Sequence, residues 1–194
     1  MKQIITISGT PGSGKSTVAK NLVDYFQAER IYVGGIRREL AKQKGMSLDQ
    51  LNEYAETHPE TDVDVDKKTA QNARQQAENK MVVVEGRTQF HFLPESYKIY
   101  IKVDLKEAAR RIWNDLQKEE LKKQRNEGKI SSEQECYEDI IKRIESDKKR
   151  YKKYYNLDHT DESHYDLVID STNIPADQVT QIIINKLKEL DEIK

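Results

Sequence analysis

The sequence predicts an α/β fold in which a five-stranded parallel sheet is covered by helices on both faces. Short β-branched runs alternate with longer segments whose apolar residues recur at helical spacing, which is typical of βαβ units. The first predicted strand leads directly into the glycine-rich stretch GTPGSGKST at residues 9–17. Arginines come shortly after two further predicted strands, at the sheet edge where parallel sheets bind their ligands.

The first strand and helix enclose a P-loop pattern. KQIITIS at residues 2–8 suits a buried parallel strand, and apolar residues from Val18 to Phe26 recur at helical spacing. The glycines allow backbone N–H groups to curl around phosphate oxygens, which places Lys15 on the β- and γ-phosphates and the Ser16 hydroxyl on Mg²⁺. An ordinary glycine-rich turn is the alternative interpretation. The residues predicted to bind ATP are Gly9, Thr10, Pro11, Gly12, Ser13, Gly14, Lys15, Ser16 and Thr17.

A short strand and three helical segments follow the first helix. Residues 31–33 are predicted to be the strand, which Gly34-Gly35 would end. The helical segments run to about residue 79, and the second begins with the capping box of Ser47 and Gln50. They offer little apolar surface, so we expect a small cap over the site.

The remaining strands are separated by one apolar helix and one charged segment. MVVVE at residues 81–85 has continuous valines, which indicate burial on both faces. Further strands are predicted at residues 98–103 and 165–169, with a final helix from about Pro175. The charged stretch at residues 117–153 predicts a solvated helical hairpin or a mobile lid.

Composition favours a single domain that works in the cytoplasm, and we expect a monomer. With 33 basic and 34 acidic residues the net charge is −1, so nucleic acid is not an expected partner. No apolar run is long enough to cross a membrane, no export signal is evident, and the lone Cys136 excludes an intrachain disulfide. The predicted domain, residues 1–194, consists of a core (1–33, 80–116 and 154–194), a helical insert (34–79) and a lid (117–153).

Arginines are placed where phosphoryl transfer would require positive charge. A guanidinium suits phosphate because its rigid fork donates two hydrogen bonds at once. Arg37 and Arg38 follow the second predicted strand, and Arg87 follows the third. Arg111 lies on the helix after the fourth strand, and Arg143 and Arg150 lie in the charged segment. Each could be an ordinary surface arginine. A surface role is least expected for Arg87, because it comes directly after a buried strand.

The chain resembles the nucleoside monophosphate kinases, and most closely the archaeal-type cytidylate kinases. The resemblance covers nearly the whole sequence, and its more specific segments are GGIRRELAKQKGMSL and RIESDKKRYKKYYNLD. Further matching segments are ITISGTPGSGKSTVAKNL, HPETDVDVDKK, VVVEGR, ARRI and YDLVID. The resemblance implies a P-loop kinase fold with a helical insert that binds the nucleoside monophosphate and with a mobile lid.

The resemblance also implies roles for individual residues. ATP·Mg²⁺ would lie on residues 12–17, Arg38 and Arg87 would grip the acceptor phosphate, and lid arginines would close over the phosphates. The implied substrate-binding residues are Gly34, Arg38, Asp62, Asp66, Glu85, Gly86 and Arg87. The implied catalytic residues are Lys15, Arg87, Arg111, Arg143 and Arg150, with Ser16 at the metal.

Several of these roles have structural alternatives. Glu85 matches an acid that helps to hold the metal's water shell, but it could instead cap a helix or form a salt bridge. Asp62 and Asp66 match paired aspartates near the base pocket, but like charges four residues apart are also common on exposed helices. Asp147 matches an acidic position in the lid and is equally open.

The chain departs from the pattern of the family at Asp115, at Lys67-Lys68 and in the greater length of residues 118–134. Asp115 stands where the family usually has a second lid arginine, so either Arg125 or a nearby lysine substitutes for it, or activity is weak. Lys67-Lys68 replaces an arginine pair and cannot make bidentate bonds. The leading hypothesis is ATP-dependent phosphorylation of CMP or dCMP. The alternatives are another acceptor (AMP, UMP or a small metabolite) and a P-loop regulator that transfers no phosphate.

Overall fold

The computed structural model describes residues 3–125 and 130–192. The predicted ends of the domain, Lys2 of the first predicted strand, and residues 126–129 of the predicted lid lie outside the described residues. The described chain forms a five-stranded sheet in the order β2-β3-β1-β4-β5, with every neighbouring pair parallel. This confirms the predicted α/β class. The strands are β1 (Ile4–Gly9), β2 (Glu29–Tyr32), β3 (Val82–Glu85), β4 (Tyr97–Lys102) and β5 (Leu167–Asp170).

Helices connect the strands and cover the sheet. Those between β1 and β3 are α1 (Lys15–Phe26), α2 (Val33–Gln43), α3 (Leu48–Ala55) and α4 (Glu60–Ala77). Those after β3 are α5 (Gln89–Phe92), α6 (Leu105–Leu116), α7 (Glu119–Arg125), α8 (Glu133–Tyr155) and α9 (Ala176–Glu192). The predicted capping box forms at the start of α3, where Ser47 and Gln50 bond each other's backbone N–H groups.

The two faces of the sheet have separate apolar cores. On one face α1 and α9 pack against the sheet through residues such as Leu22 and Ile183. On the other face Ala70 and Ala73 of α4 pack against Val82 and Val84. The insert is therefore more than a cap, because the second half of α4 forms one of the covering layers. The β3 valines are fully buried, as the unbroken apolar run predicted.

The prediction for the second strand is wrong in its bounds. The strand begins at Glu29 and ends at Tyr32, and both glycines belong to the first turn of α2. The glycines allow close packing there, since a Cβ on Gly34 would lie 2.8 Å from Cε2 of Tyr32, and one on Gly35 would lie 2.7 Å from its Cδ1. The two glycines thus leave room for the Tyr32 ring, and α2 continues through them.

The charged segment forms α7 and the long helix α8. The first half of α8 buries Cys136 and Ile140 in a third apolar cluster with Ile112 and Leu116 of α6. The second half turns toward the insert, where the hydroxyl of Tyr154 donates to the carbonyl of Ala55 at 2.6 Å. One helix therefore connects the α6 region with the insert.

Candidate active site

The P-loop joins β1 to α1 in a left-handed turn. Gly12 and Gly14 have φ angles of +76° and +81°, a region that residues with a Cβ rarely adopt. Lys15 folds back over the loop, and its Nζ donates to the carbonyl oxygen of Thr10 at 3.0 Å. The start of α1 and the ammonium of Lys15 therefore present positive charge on the same side of the loop.

The carboxyl ends of β1, β2 and β3 converge on a cavity of about 460 Å³. The sequence predicted this convergence, and the structure confirms it. From the predicted site, the cavity is lined by Pro11, Gly12, Gly14, Lys15, Ser16, Thr17, Gly34, Arg38, Asp62, Asp66, Glu85, Gly86, Arg87, Arg111 and Arg143. The lining does not include Gly9, Thr10, Ser13 or Arg150.

Positive charge dominates the end of the cavity near the P-loop. The pKa of Lys15 is lowered to about 7, chiefly by burial and then by the guanidinium of Arg87, with smaller contributions from Arg143 and Arg38. Glu85 opposes this shift. The lowered pKa of Lys15 thus reflects its position among other cations in a site with little water. Such a cluster of cations is suited to bind a polyanion.

Glu85 links the P-loop to β2. Its Oε1 accepts from the hydroxyl of Ser16 at 2.5 Å, and its Oε2 accepts from Arg30 Nη2 at 2.6 Å. The side chain of Glu85 is only 2% exposed. Glu85 therefore does form the salt bridge considered as its alternative role, with Arg30 as the partner. The Ser16 hydroxyl and the Glu85 carboxylate also form a pair of hard oxygen donors of the kind that Mg²⁺ prefers. Among the described residues, no group of three or more His, Cys, Asp or Glu could hold a metal ion.

The opposite side of the cavity is formed by Arg37, Arg38, Asn52, Asp62 and Asp66, here called the insert wall. Arg38 Nη1 donates to the Tyr32 hydroxyl at 2.7 Å and to the carbonyl of Gly34 at 3.1 Å. These bonds turn the guanidinium of Arg38 toward the cavity. Asp62 and Asp66 are 3% and 4% exposed, which rules out the solvated helix face considered for them.

A buried ion-pair network lies behind the insert wall. Asp147 of α8 accepts from Arg87 and from Arg150, and Arg150 also donates to Asp62. Asp62 in turn accepts from Arg37. Burial alone would raise the pKa of Asp147, but Arg87 and Arg150 hold it at about 2. The network fixes Arg87 at the cavity and places Arg150, which is 1% exposed, beneath it.

Asp66 has a second set of partners. Its carboxylate accepts from Thr88 Oγ1, Gln89 Nε2 and the Tyr155 hydroxyl, each at 2.8 Å. Burial raises the pKa of Asp66 to about 6, although the bonds from Thr88 and Tyr155 favour the ionised form. Asp66 therefore connects α4 both to the segment after β3 and to the end of α8.

Arg125 lies beside Asp115, the position that departs from the family pattern. Arg125 Nη2 donates to Asp115 Oδ2 at 2.5 Å, and both residues line the cavity. Its backbone carbonyl accepts from Arg38 Nε at 2.7 Å. The carboxylate of Asp115 is thus neutralised locally, and α7 is attached to the insert wall through Arg38.

Arg111 borders a second cavity of about 440 Å³ behind the P-loop. Its Nη2 donates to the carbonyls of Ser171 at 2.8 Å and Thr172 at 3.1 Å, and its Nε donates to Glu107 at 2.8 Å. Gly14 and Arg111 line both cavities, so the two spaces meet at the P-loop. Loop carbonyls hold Arg111 at that junction.

Sequence reasoning assigned no specific role to several polar residues of the site, among them Arg30, Arg37 and Asn52. Arg30 holds Glu85, Arg37 joins Asp62 to Asn52, and Asn52 lines the cavity while only 6% exposed. Arg37 had a signal, since it precedes Arg38 directly. Arg30 lies within β2 and Asn52 within a short helix, where nothing in the sequence distinguishes them from surface residues.

In the described ranges 3–125 and 130–192, no helix is long and apolar enough to cross a membrane.

The chain is similar to known proteins in sequence and in fold. A family model described as "AAA domain" matches residues 5–136. A cytidylate kinase of Thermococcus sibiricus is 38% identical, over 93% of this chain and 85% of the relative. A cytidylate kinase of Methanosarcina acetivorans is 39% identical, over 86% of each chain. A solved shikimate kinase from Acinetobacter baumannii is 15% identical with a TM-score of 0.57, covers 98% of this chain and 95% of its own, and shows that the two share the P-loop kinase fold.

Proposed function

The chain belongs to the cytidylate kinase family, and from that membership we propose that it transfers the γ-phosphoryl group of ATP to CMP or dCMP. The observation that carries the proposal is the convergence of Lys15 with Arg38, Arg87 and Arg143 on one cavity. A protein that only binds ATP needs cations around one triphosphate. Arginines that line the same cavity as the P-loop would provide a second phosphate site, which a kinase requires for its acceptor.

We propose that ATP spans the two cavities. Its phosphates would lie on residues 12–17, where backbone N–H groups and Lys15 neutralise their charge. Its base would occupy the second cavity, which meets the first at Gly14 and Arg111. Arg111 would then lie beside the phosphate chain, held in position by the carbonyls of Ser171 and Thr172.

The acceptor phosphate would bind between Arg38 and Arg87. Both arginines line the cavity, where hydrogen bonds hold Arg38 to Tyr32 and Gly34 and hold Arg87 to Asp147. Charge-assisted hydrogen bonds from a guanidinium suit a phosphate. Two positioned forks would hold the acceptor oxygen in line with the γ-phosphate, so that transfer requires little further reorganisation. Arg143 would add charge as the phosphoryl group passes between the nucleotides.

Ser16 and Glu85 would hold Mg²⁺ together with the nucleotide phosphates. The ion would neutralise charge that develops on the transferred phosphoryl group. The short bond between the two side chains places both oxygens at the base of α1. Arg30, which bonds the other oxygen of Glu85, keeps that carboxylate oriented.

Arg150 would act as a positioning residue, although the resemblance implies that it closes over the phosphates. Its guanidinium is buried and bonded to Asp62 and Asp147, so it orients the carboxylates that hold Arg37 and Arg87. Leu121 and Arg125 of α7 line the cavity and would limit access of water to the phosphates. We further propose that the enzyme works as a cytoplasmic monomer, in keeping with its balanced charge and its single, buried cysteine.

An ADP-release assay over a panel of acceptors tests the proposal. We expect rapid ADP formation from ATP·Mg²⁺ with CMP and dCMP, and slow formation with AMP, GMP or shikimate. Rapid turnover of AMP with none of CMP would overturn the choice of acceptor. Tight ATP binding with no acceptor phosphorylated would instead indicate a regulator that transfers no phosphate.

A further inference from the structure

Asn52 of α3 is a buried amide whose orientation is determined by its neighbour. Arg37 Nη2 donates to Asn52 Oδ1 at 3.0 Å. An arginine side chain has no acceptor, so the amide atom that faces it must be the oxygen. The Nδ2 group of Asn52 therefore points away from Arg37. In the described part of the chain no acceptor is bonded to Nδ2, and Asn52 lines the cavity.

Arg37 also fixes an acceptor beside this donor. Its Nη1 donates to Asp62 Oδ1, while Arg150 donates to Asp62 Oδ2. Each carboxylate oxygen has two lone-pair sites, so Asp62 retains the capacity to accept a further hydrogen bond. Because one guanidinium bonds both side chains, the Asn52 donor and the Asp62 acceptor lie next to each other on the insert wall.

The surroundings suit the flat, partly apolar body of a nucleobase. Leu48, one turn before Asn52 on α3, lines the same cavity, and so does Tyr151. Both side chains are nearly fully buried. Arg37 donates to Asp62, Asn52 and the carbonyl of Thr61, which holds its guanidinium against the insert wall.

We propose that Asn52 is a specificity-determining residue that distinguishes cytosine from uracil, an inference that rests on the proposed function. Asn52 Nδ2 donates to N3 of cytosine, and Asp62 accepts from its N4 amino group. Cytosine presents an acceptor at N3 and a donor at N4, whereas uracil presents a donor at N3 and an acceptor at O4. The adjacent donor and acceptor of the wall match the first pattern and oppose the second.

The substitution Asn52→Asp tests the assignment. It keeps the size of the side chain and the bond from Arg37, but it replaces the amide donor with an oxygen that accepts from N3–H of uracil. We expect the ratio of kcat/KM for CMP to that for UMP to fall by about 100-fold or more, mainly through KM. An unchanged ratio, or an equal loss with both nucleotides, would overturn the proposal.

The matched control is Asn72→Asp. Asn72 is exposed on α4 and accepts from Gln76 through Oδ1, so the same chemical change leaves that bond in place and lies away from the cavity. The control should keep the native ratio. If it lowers the ratio as much as Asn52→Asp does, added negative charge on the insert explains the effect and the proposal fails.

A modified nucleotide tests the same bond with the native chain, which avoids any effect on folding. In 3-deaza-CMP the N3 acceptor is replaced by C–H. We expect its kcat/KM to be about 100-fold or more below that of CMP, because Asn52 Nδ2 is then left without a partner. Equal turnover of the two nucleotides would overturn the role of Asn52 while leaving the cytidylate kinase activity established. Absence of CMP turnover by the native chain would instead refute the proposed function.

Discussion

The P-loop and the insert wall face each other across one cavity, but they are built in different ways. The P-loop is a contiguous stretch in which backbone groups and one local bond, from Lys15 to Thr10, provide the geometry. The insert wall takes its residues from α2, α3 and α4 and holds them through buried ion pairs with α8. Its shape therefore depends on side chains that are distant in sequence.

Because of this difference, we expect substitutions in the P-loop to change catalysis alone, and substitutions in the insert wall to lower the free energy of unfolding as well. In the P-loop a side chain can be removed without leaving a buried charge uncompensated. In the insert wall Asp62 balances the guanidinium groups of Arg37 and Arg150, so that a single substitution there affects both folding and the site.

The largest effect is expected from Lys15→Met in the P-loop. Loss of the ammonium should lower kcat by about 10³-fold or more, because the charge of the transferred phosphoryl group is then poorly neutralised. The free energy of unfolding should not fall, since Lys15 is repelled by Arg87 and Arg143 in the absence of nucleotide. Steady-state kinetics and urea unfolding measure the two quantities. Lys106→Met, an exposed change on α6, serves as the control, and a strong loss of stability in Lys15→Met would break the contrast.

Asp147→Asn should have the opposite signature. The amide cannot balance Arg87 and Arg150, which are both bonded to this carboxylate, so the free energy of unfolding should fall by about 3 kcal/mol. Asp64→Asn, at an exposed aspartate of α4, should change it by less than about 0.5 kcal/mol. Urea unfolding curves measure both variants. If Asp147→Asn is as stable as the native chain, the ion-pair network does not hold the insert wall.

The protonation of Lys15 in the P-loop can be tested by measuring proton uptake on ATP·Mg²⁺ binding at different pH values. The pKa of Lys15 is about 7 without nucleotide, so Lys15 is mostly neutral at pH 8, and phosphates should raise that pKa again. ATP·Mg²⁺ is fully ionised at pH 8, so its binding should take up close to about one proton, an uptake that vanishes below pH 6, where Lys15 is already charged. Titration calorimetry in buffers of different ionisation enthalpy measures it. Undiminished uptake in Lys15→Met would assign the proton to another group.

The smallest effect is expected at Asp115 and Arg125. Their side chains are 36% and 22% exposed, so solvent weakens the ion pair in spite of its short distance. A double-mutant cycle with Asp115→Ala and Arg125→Ala should give a coupling of about 1 kcal/mol or less in the free energy of unfolding. A coupling as large as the effect of Asp147→Asn would show that the mouth of the cavity is held as rigidly as the insert wall.

The same contrast explains what the sequence could predict. The P-loop and the apolar run of β3 are local patterns, so the sheet and the position of Lys15 followed from the sequence. The burial of Asp62 and Asp66 could not be decided, because paired aspartates at helical spacing are also found on solvated helices. Asn52 gave no signal, since its position depends on Arg37, which depends in turn on Asp62. Gly34 was predicted to end the second strand, but it lies in the first turn of α2, where its small size leaves room for Tyr32. The sequence alone does not reveal that contact.

A bisubstrate inhibitor tests whether the two joined cavities form one continuous site that holds both nucleotides with their phosphates in line. The compound joins the 5′ oxygens of adenosine and cytidine through five phosphates. We expect it to inhibit competitively against both ATP and CMP and to bind as one molecule per chain, with a lower Kd than either substrate alone. Competition against ATP alone, with CMP binding unaffected, would contradict the account, because the P-loop and the insert wall would then not form a single site.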